Sequence, residues 1–167
     1  MKKYAAIFLS LLLVFLSLPS CQKQEYTDCR QLLDILTEAE ISLPSGKYYS
    51  LSAKEGDDEF LSDSLISALY GSNALSKISE GWIDCSLYIS FLEDPREFAI
   101  IYCKNKDYAN DTARLLCARL SGIKAATDTK YSKMIEEACV SVVGNYAILI
   151  ISSDSATGFK ALKRSIP

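Results

Sequence analysis

The chain opens on a long hydrophobic run, which is followed by segments with a helical or strand-like spacing of apolar residues. Residues 4–18 are apolar apart from two serines, and Lys2 and Lys3 precede them. This length is typical of the hydrophobic core of an export signal, whereas a membrane span needs about 20 residues. We therefore predict a signal peptide over residues 1–20.

The end of this signal indicates a lipid anchor. Leu18-Pro19-Ser20-Cys21 resembles the bacterial lipobox, in which leucine lies three residues before the cysteine and a small residue lies just before it. Leu18 and Ser20 fit this pattern, whereas Pro19 departs from the usual small or hydroxyl residue. The resemblance implies that the mature chain begins at Cys21 with a diacylglyceryl group, and two acyl chains hold a protein stably on a bilayer. Cleavage without lipid and an uncleaved anchor are the alternatives.

Apolar residues recur at helical spacing in several later segments. Cys29, Leu32, Leu33 and Leu36 follow the i, i+3, i+4, i+7 rule and predict a helix over residues 28–39. Further helices are predicted over residues 62–70 with Ser62 as N-cap, over 106–123, at 130–137 and over 156–164.

Strand-like runs occupy most of the remaining chain. The runs are residues 47–51, 84–92, 97–104, 139–143 and 146–151. The second and third runs flank residues 93–96, and the last two flank Gly144-Asn145, so each pair predicts a hairpin. The last two runs are apolar on both faces, so we expect them to be central in the sheet or covered.

The order of these elements from residue 84 onward is β-β-α-β-β-α. It predicts an α+β fold, with an antiparallel sheet built from two hairpins and helices packed mainly on one face. The domain boundaries follow as a signal peptide over residues 1–20, a polar tether over 21–26 and a single α+β domain over 27–167.

The charge of the mature chain disfavours one class of partner. Without Lys2 and Lys3, 16 basic residues face 21 acidic residues, a net charge of about −5. Binding to nucleic acid depends on neutralising phosphates with lysine and arginine. We therefore expect no nucleic-acid partner.

The residue inventory disfavours several chemistries. The chain contains no histidine, and none of its six cysteines forms a CxxC pair, so the usual zinc sites and histidine-assisted nucleophiles are not expected. The acidic loop at residues 54–59 lacks the ligand spacing of an EF-hand. Ser121 and Lys124 match SxxK without the further motifs of penicillin-recognising enzymes. We therefore assign no catalytic residue, no metal and no cofactor.

The cysteines other than Cys21 have two interpretations. They lie in apolar runs, where a free thiol behaves as a small hydrophobic side chain. Alternatively, an even register in the first hairpin would place Cys85 and Cys103 nearly opposite each other and permit a disulfide.

Aromatic residues offer one candidate binding surface. Tyrosine and tryptophan are enriched at interfaces, and a recognition patch centred on Trp82 and Tyr88 is one interpretation of their distribution. The other is a strand-rich core with aromatic residues at its rim.

Several short stretches together resemble a known group of proteins. They are Phe60-Leu61-Ser62-Asp63, Leu69-Tyr70-Gly71, the strand at residues 98–102 and the hairpin at residues 142–149. Over about residues 21–155 the chain resembles small exported lipoproteins of Gram-positive anaerobes that carry a domain of unknown function. The resemblance implies a location and a single-domain architecture, and it supplies no catalytic residues.

The expected protein is thus lipid-anchored on the extracytoplasmic face of the cell membrane, where a non-enzymatic domain binds a protein or envelope component. The alternative is an envelope hydrolase or inhibitor with an unrecognised site. A small-solute carrier is disfavoured because 147 residues are few for two lobes.

The lipid anchor is directly testable. Cells that express the chain should incorporate labelled palmitate into it, and Cys21→Ala should abolish the label because the acceptor thiol is lost. Labelling that survives this substitution contradicts the prediction.

Overall fold

The computed structural model describes residues 26–40, 42–91 and 93–167, which form six α-helices and five strands. The helices are α1 (Cys29–Ala39), α2 (Asp63–Tyr70), α3 (Ala74–Gly81), α4 (Lys106–Ala126), α5 (Ser132–Glu136) and α6 (Ser155–Ser165). The strands are β1 (Gly46–Ser50), β2 (Trp82–Ser90), β3 (Glu97–Cys103), β4 (Cys139–Val143) and β5 (Tyr146–Ile151). The predicted signal peptide, Cys21 and residues 22–25 of the predicted tether lie outside the described residues. None of the described helices combines the length and hydrophobicity that a membrane span requires.

The strands form one antiparallel sheet in the order β1-β2-β3-β5-β4. The two predicted hairpins, β2–β3 and β4–β5, are joined where β3 pairs with β5, for example at Ile100 and Ile148. The last strand in the sequence therefore lies inside the sheet, and β1 and β4 form its edges.

Helices cover both faces of this sheet. Odd-numbered residues of β3 and β5, such as Ile101 and Leu149, pack against α2, α3, α4 and α5 on what we call the α4 face. Even-numbered residues, such as Ile100 and Ile148, pack against α1 and α6 on the α1 face. The predicted α+β class with an antiparallel sheet is confirmed, and four of the six described helices lie on one face. The sheet is nevertheless the middle layer of three.

Side-chain caps fix the helix starts that the sequence predicts. The Asp28 carboxylate accepts from Arg30 N at 2.7 Å and begins α1. The Ser62 hydroxyl accepts from Leu65 N at 3.2 Å and begins α2. Each contact satisfies a first-turn N–H group that has no acceptor within the helix.

Two features of the fold were not predicted. The helix α3 directs Ala74, Ile78 and Gly81 into the core. Two of these residues are small, so the sequence shows only a weak helical pattern of large apolar residues there. The first residues of β2 also contain a bulge between Trp82 and Asp84. A bulge adds one residue to one strand and changes which face the flanking side chains occupy.

Burial on both faces has a measurable consequence for β5. Ile148 and Leu149 are both 0% exposed and point to opposite faces. Ile148→Ala and Leu149→Ala should each lower the free energy of unfolding by about 2–5 kcal/mol in urea titrations. The control Ile83→Ala, at a residue 49% exposed, should cost less than about 1 kcal/mol. A large loss from only one of the two β5 substitutions contradicts the three-layer architecture.

Candidate functional site

A cavity of about 560 Å³ lies at the end of the sheet that carries the β2–β3 turn, which we call the hairpin end. Its walls are the turn at residues 93–95 and the last turns of α4, with Arg119 between them. Small-molecule sites usually occupy about 300–1,000 Å³. This cavity is therefore large enough for a small ligand or a side chain of a partner.

A buried ion pair holds Arg119 at this cavity. Glu97, the first residue of β3, is 2% exposed. Arg119 donates from Nε to both carboxylate oxygens of Glu97 at 3.2 and 3.1 Å, and from Nη2 to Oε2 at 2.8 Å. Burial would lower the pKa of Arg119, but the hydrogen bonds and negative charge of Glu97 outweigh it and raise that pKa above its ordinary value.

Tyr70 adds a buried hydroxyl to the same region. It ends α2 and contacts the Trp82 ring edge-on, with ring centroids 6.0 Å apart. Its hydroxyl is buried and has no hydrogen-bond partner among the described residues. Burial raises the pKa of Tyr70 well above its ordinary value, and the nearby charge of Glu97 raises it further. The phenol thus stays protonated and keeps its donor.

These groups are suited to reversible binding. A guanidinium carries five N–H donors, and the Nη1 group of Arg119 has no acceptor among the described residues. Glu93, Asp94 and Asp128 add carboxylate acceptors to the walls. The hydroxyl of Thr127 donates to Ile123 O at 2.7 Å, so it is already engaged. Glu93 also pairs with Lys130 at 3.2 Å, and Asp94 accepts from Arg96 N at 2.9 Å. The cavity thus offers the donors of Arg119 and several carboxylate oxygens to a polar ligand.

A second arginine stabilises the turn beside this cavity. Arg96 Nε lies 3.8 Å from Asp94 Oδ1 and 4.0 Å from Glu40 Oε2. Arg96 also donates from Nη1 to Ser42 O, and Ser153 Oγ donates to Glu40 at 3.2 Å. These contacts join the β2–β3 turn to the end of α1 and the segment before α6.

The acidic loop is held by a third arginine. Glu59 accepts from Arg30 Nη1 at 2.9 and 2.7 Å, and the Arg30 guanidinium lies 4.4 Å from the centroid of the Tyr48 ring. Asp57 accepts from Lys54 N at 2.8 Å within the loop. Among the described residues no group of three or more acidic or cysteine side chains has a geometry suited to a metal ion.

Trp82 and Tyr88 do not form a surface patch, because both rings lie in the core, which is the other interpretation of their distribution. Trp82 is 7% exposed on the α4 face, where its Nε1 donates to Thr112 Oγ1 at 2.9 Å. Tyr88 is 1% exposed on the α1 face, where its hydroxyl donates to Pro44 O. Their even separation predicts a common face, but the bulge after Trp82 places the two rings on opposite sides of the sheet.

One exposed aromatic ring that sequence reasoning missed is Tyr26. It was placed in the tether, yet it stacks on Tyr102 with ring centroids 4.7 Å apart and an angle of 12°. The Tyr146 ring contacts the Tyr102 ring at a tilt of 47°, with ring centroids 4.8 Å apart. Tyr26 marks the end of the sheet opposite the hairpin end, which we call the Tyr26 end. Only the three-dimensional fold brings these tyrosines together, so no local sequence signal identifies the stack.

The thiols of Cys85 and Cys103 are both free. Cys85 lies opposite Ile101, and Cys103 lies opposite Trp82, so the two cysteines share a face but are not cross-strand partners. Burial raises the pKa of both thiols, and it keeps them protonated and unreactive. Cys117 on α4, in contrast, is exposed.

No family model matches this chain, and neither a curated protein nor a solved structure matches it. The resemblance to small exported lipoproteins stays a prediction.

The Glu97–Arg119 pair should contribute strongly to stability. Arg119→Met leaves a buried carboxylate without its partner, so it should lower the free energy of unfolding by about 3–5 kcal/mol. The matched control is Arg114→Met on the same helix, because Arg114 pairs with Asp111 at the exposed surface; it should change stability by at most about 1 kcal/mol. Chemical denaturation of both variants gives the comparison.

A double variant separates the pair from the packing of each side chain. Glu97→Leu combined with Arg119→Met removes both charges and should recover most of the lost stability. Arg119→Met that costs no more than Arg114→Met contradicts the role of the pair.

Proposed function

We propose that this chain is a membrane-anchored extracytoplasmic lipoprotein whose domain binds a protein or envelope component at the hairpin end. Its attachment to the membrane is the lipid on Cys21, and its binding element is the cavity next to Arg119. The domain acts by binding and performs no covalent chemistry.

The observation that carries this proposal is the placement of the two ends of the domain. Tyr26, the first described residue, stacks on Tyr102 near the end of β3, whereas the cavity residue Arg119 contacts Glu97 at the start of β3. Five residue steps along a strand separate these positions by about 17 Å. The cavity of a domain tethered through Tyr26 therefore points away from the membrane.

The chemistry of the cavity supports binding of a polar group. Arg119 is oriented by two oxygens of Glu97, so less side-chain entropy is lost when a ligand contacts its free donors. Carboxylates on the same walls favour a ligand that also carries donors or positive charge. A polar segment of a partner protein and an amino-bearing envelope component both fit this description.

Photocrosslinking in intact cells tests the binding site. A photoreactive phenylalanine replaces Ala126, which is exposed and lines the cavity. The matched control replaces Asn110, exposed on the same helix and about 24 Å away along its axis. We expect a defined crosslinked product from the Ala126 position and none from the Asn110 position. No product, or the same product from both positions, contradicts the proposal.

The exposed thiol of Cys117 provides a test of location in the same cells. Any outer membrane is first permeabilised while the inner membrane stays intact. A membrane-impermeant maleimide should then label Cys117, and Cys117→Ser should remove that label. Labelling that requires lysis of the inner membrane contradicts the extracytoplasmic location.

A further inference from the structure

We propose that the Tyr26 end of the domain rests on the bilayer, with Tyr26 and Ile83 in contact with the lipid interface. This inference rests on the proposed lipid anchor and adds to it a defined orientation of the domain. The partner is the lipid surface itself.

The exposed apolar residues at this end are the first argument. Among the described residues the large hydrophobic side chains that are most exposed are Tyr26, Ile83 and Phe91, at 46%, 49% and 50%. Tyr26 stacks on Tyr102 near the end of β3, and Ile83 lies in the bulge at the start of β2, which pairs with the end of β3. Two of the three therefore lie at the Tyr26 end.

The backbone explains why Ile83 is exposed. The strand β1 pairs with β2 only from Ser86 to Ser90, so the start of β2 extends beyond its neighbour. The bulge between Trp82 and Asp84 then interrupts the alternation of side chains, and bulges commonly redirect a side chain. Ile83 is thus held at the end of the sheet by main-chain geometry.

The length of the tether is the second argument. Five residue steps separate Cys21 from Tyr26, and an extended chain covers at most about 3.6 Å per step, so Tyr26 lies within roughly 18 Å of the lipidated residue. A bilayer surface is consequently always near this end of an anchored domain. Tyrosine is enriched at membrane interfaces because its ring is apolar and its hydroxyl is polar.

The charged groups at this end are compatible with lipid headgroups. Lys104 directly follows β3 and Lys106 begins α4, and both are exposed. Thr27 Oγ1 donates to Ser165 O at 3.0 Å, which places the basic last turn of α6, with Lys163 and Arg164, next to the residue that follows Tyr26. Long basic side chains reach headgroup phosphates while their stems cover apolar surface.

The acidic groups near the Tyr26 end are Asp28, Asp84, Asp107 and Glu80, together with the acidic loop at residues 54–59, which follows β1 on this side and bonds Arg30 through Glu59. The first two bond backbone N–H groups: Asp28 caps α1, and Asp84 accepts from Cys29 N at 2.9 Å and from Cys85 N at 2.8 Å. Asp107 lies in the first turn of α4, where the helix dipole stabilises it. Glu80 is exposed near the end of α3. The acidic groups at this end are thus at least as numerous as the basic ones, so apolar contact rather than net charge drives the docking.

The single tryptophan of the chain reports on this contact. Trp82 directly precedes Ile83. The lipidated full-length protein is reconstituted into vesicles of phosphatidylcholine and phosphatidylglycerol whose acyl chains carry bromine near the headgroup. We expect quenching of the Trp82 fluorescence and its loss in Tyr26→Ser and Ile83→Ser. Phe91→Ser is the matched control because Phe91 is equally exposed but follows β2 at the hairpin end; it should retain the quenching.

The outcomes distinguish this inference from the anchor on which it rests. Protein that carries lipid and floats with the vesicles, but shows no quenching of Trp82, overturns the inference alone. Equal loss of quenching in Phe91→Ser and Ile83→Ser also overturns it. Protein from the native host that carries no lipid on Cys21 and does not float overturns the proposed anchor instead.

Discussion

Burial of the central strands on both faces is the constraint on which this structure depends. Every residue of β5 is buried, and Ile148 and Leu149 direct apolar side chains to opposite sides. A sheet of this kind cannot leave either face in water without exposing a large apolar area. The helices α1 and α6 are therefore as necessary as the four helices on the opposite face. Their packing also brings Thr27 and Ser165, near the two ends of the described chain, into contact.

The same constraint restricts charge to the two ends of the sheet. A charge in the middle layer needs a partner and hydrogen bonds to offset its loss of hydration. Glu97 enters this layer at the hairpin end with Arg119 as its partner, and Asp84 lies at the other end with two backbone donors. Charged side chains of the middle layer thus lie where the strands begin and end. This explains why the candidate cavity and the start of the domain lie at opposite ends.

Much of the fold could be predicted from local signals. Helices begin at Asp28 and Ser62 because these side chains accept from nearby backbone N–H groups. A hairpin turns at Gly144-Asn145 because Gly144 adopts a positive φ of 56°. These signals depend only on neighbours in the sequence. The layering on both faces depends on β3 meeting β5, and no local pattern specifies that pairing.

The candidate site was less predictable for the same reason. Glu97 and Arg119 are 22 residues apart and come from a strand and a helix whose relative placement is set by the whole core. The bulge after Trp82 puts that ring on the face opposite to Tyr88, because one inserted residue shifts the alternation along the strand. The distribution of aromatic residues offered a candidate binding surface, but it could not show that Tyr26 stacks on Tyr102.

The position of β5 inside the sheet governs when the chain can fold. It spans Tyr146–Ile151, so β3 lacks one of its two neighbours until residue 151 has been made. Pairings between distant segments form slowly because a long loop must close first. A nascent chain with this topology stays open during synthesis. The strand order therefore delays completion of the sheet until β5 is available to pair with β3.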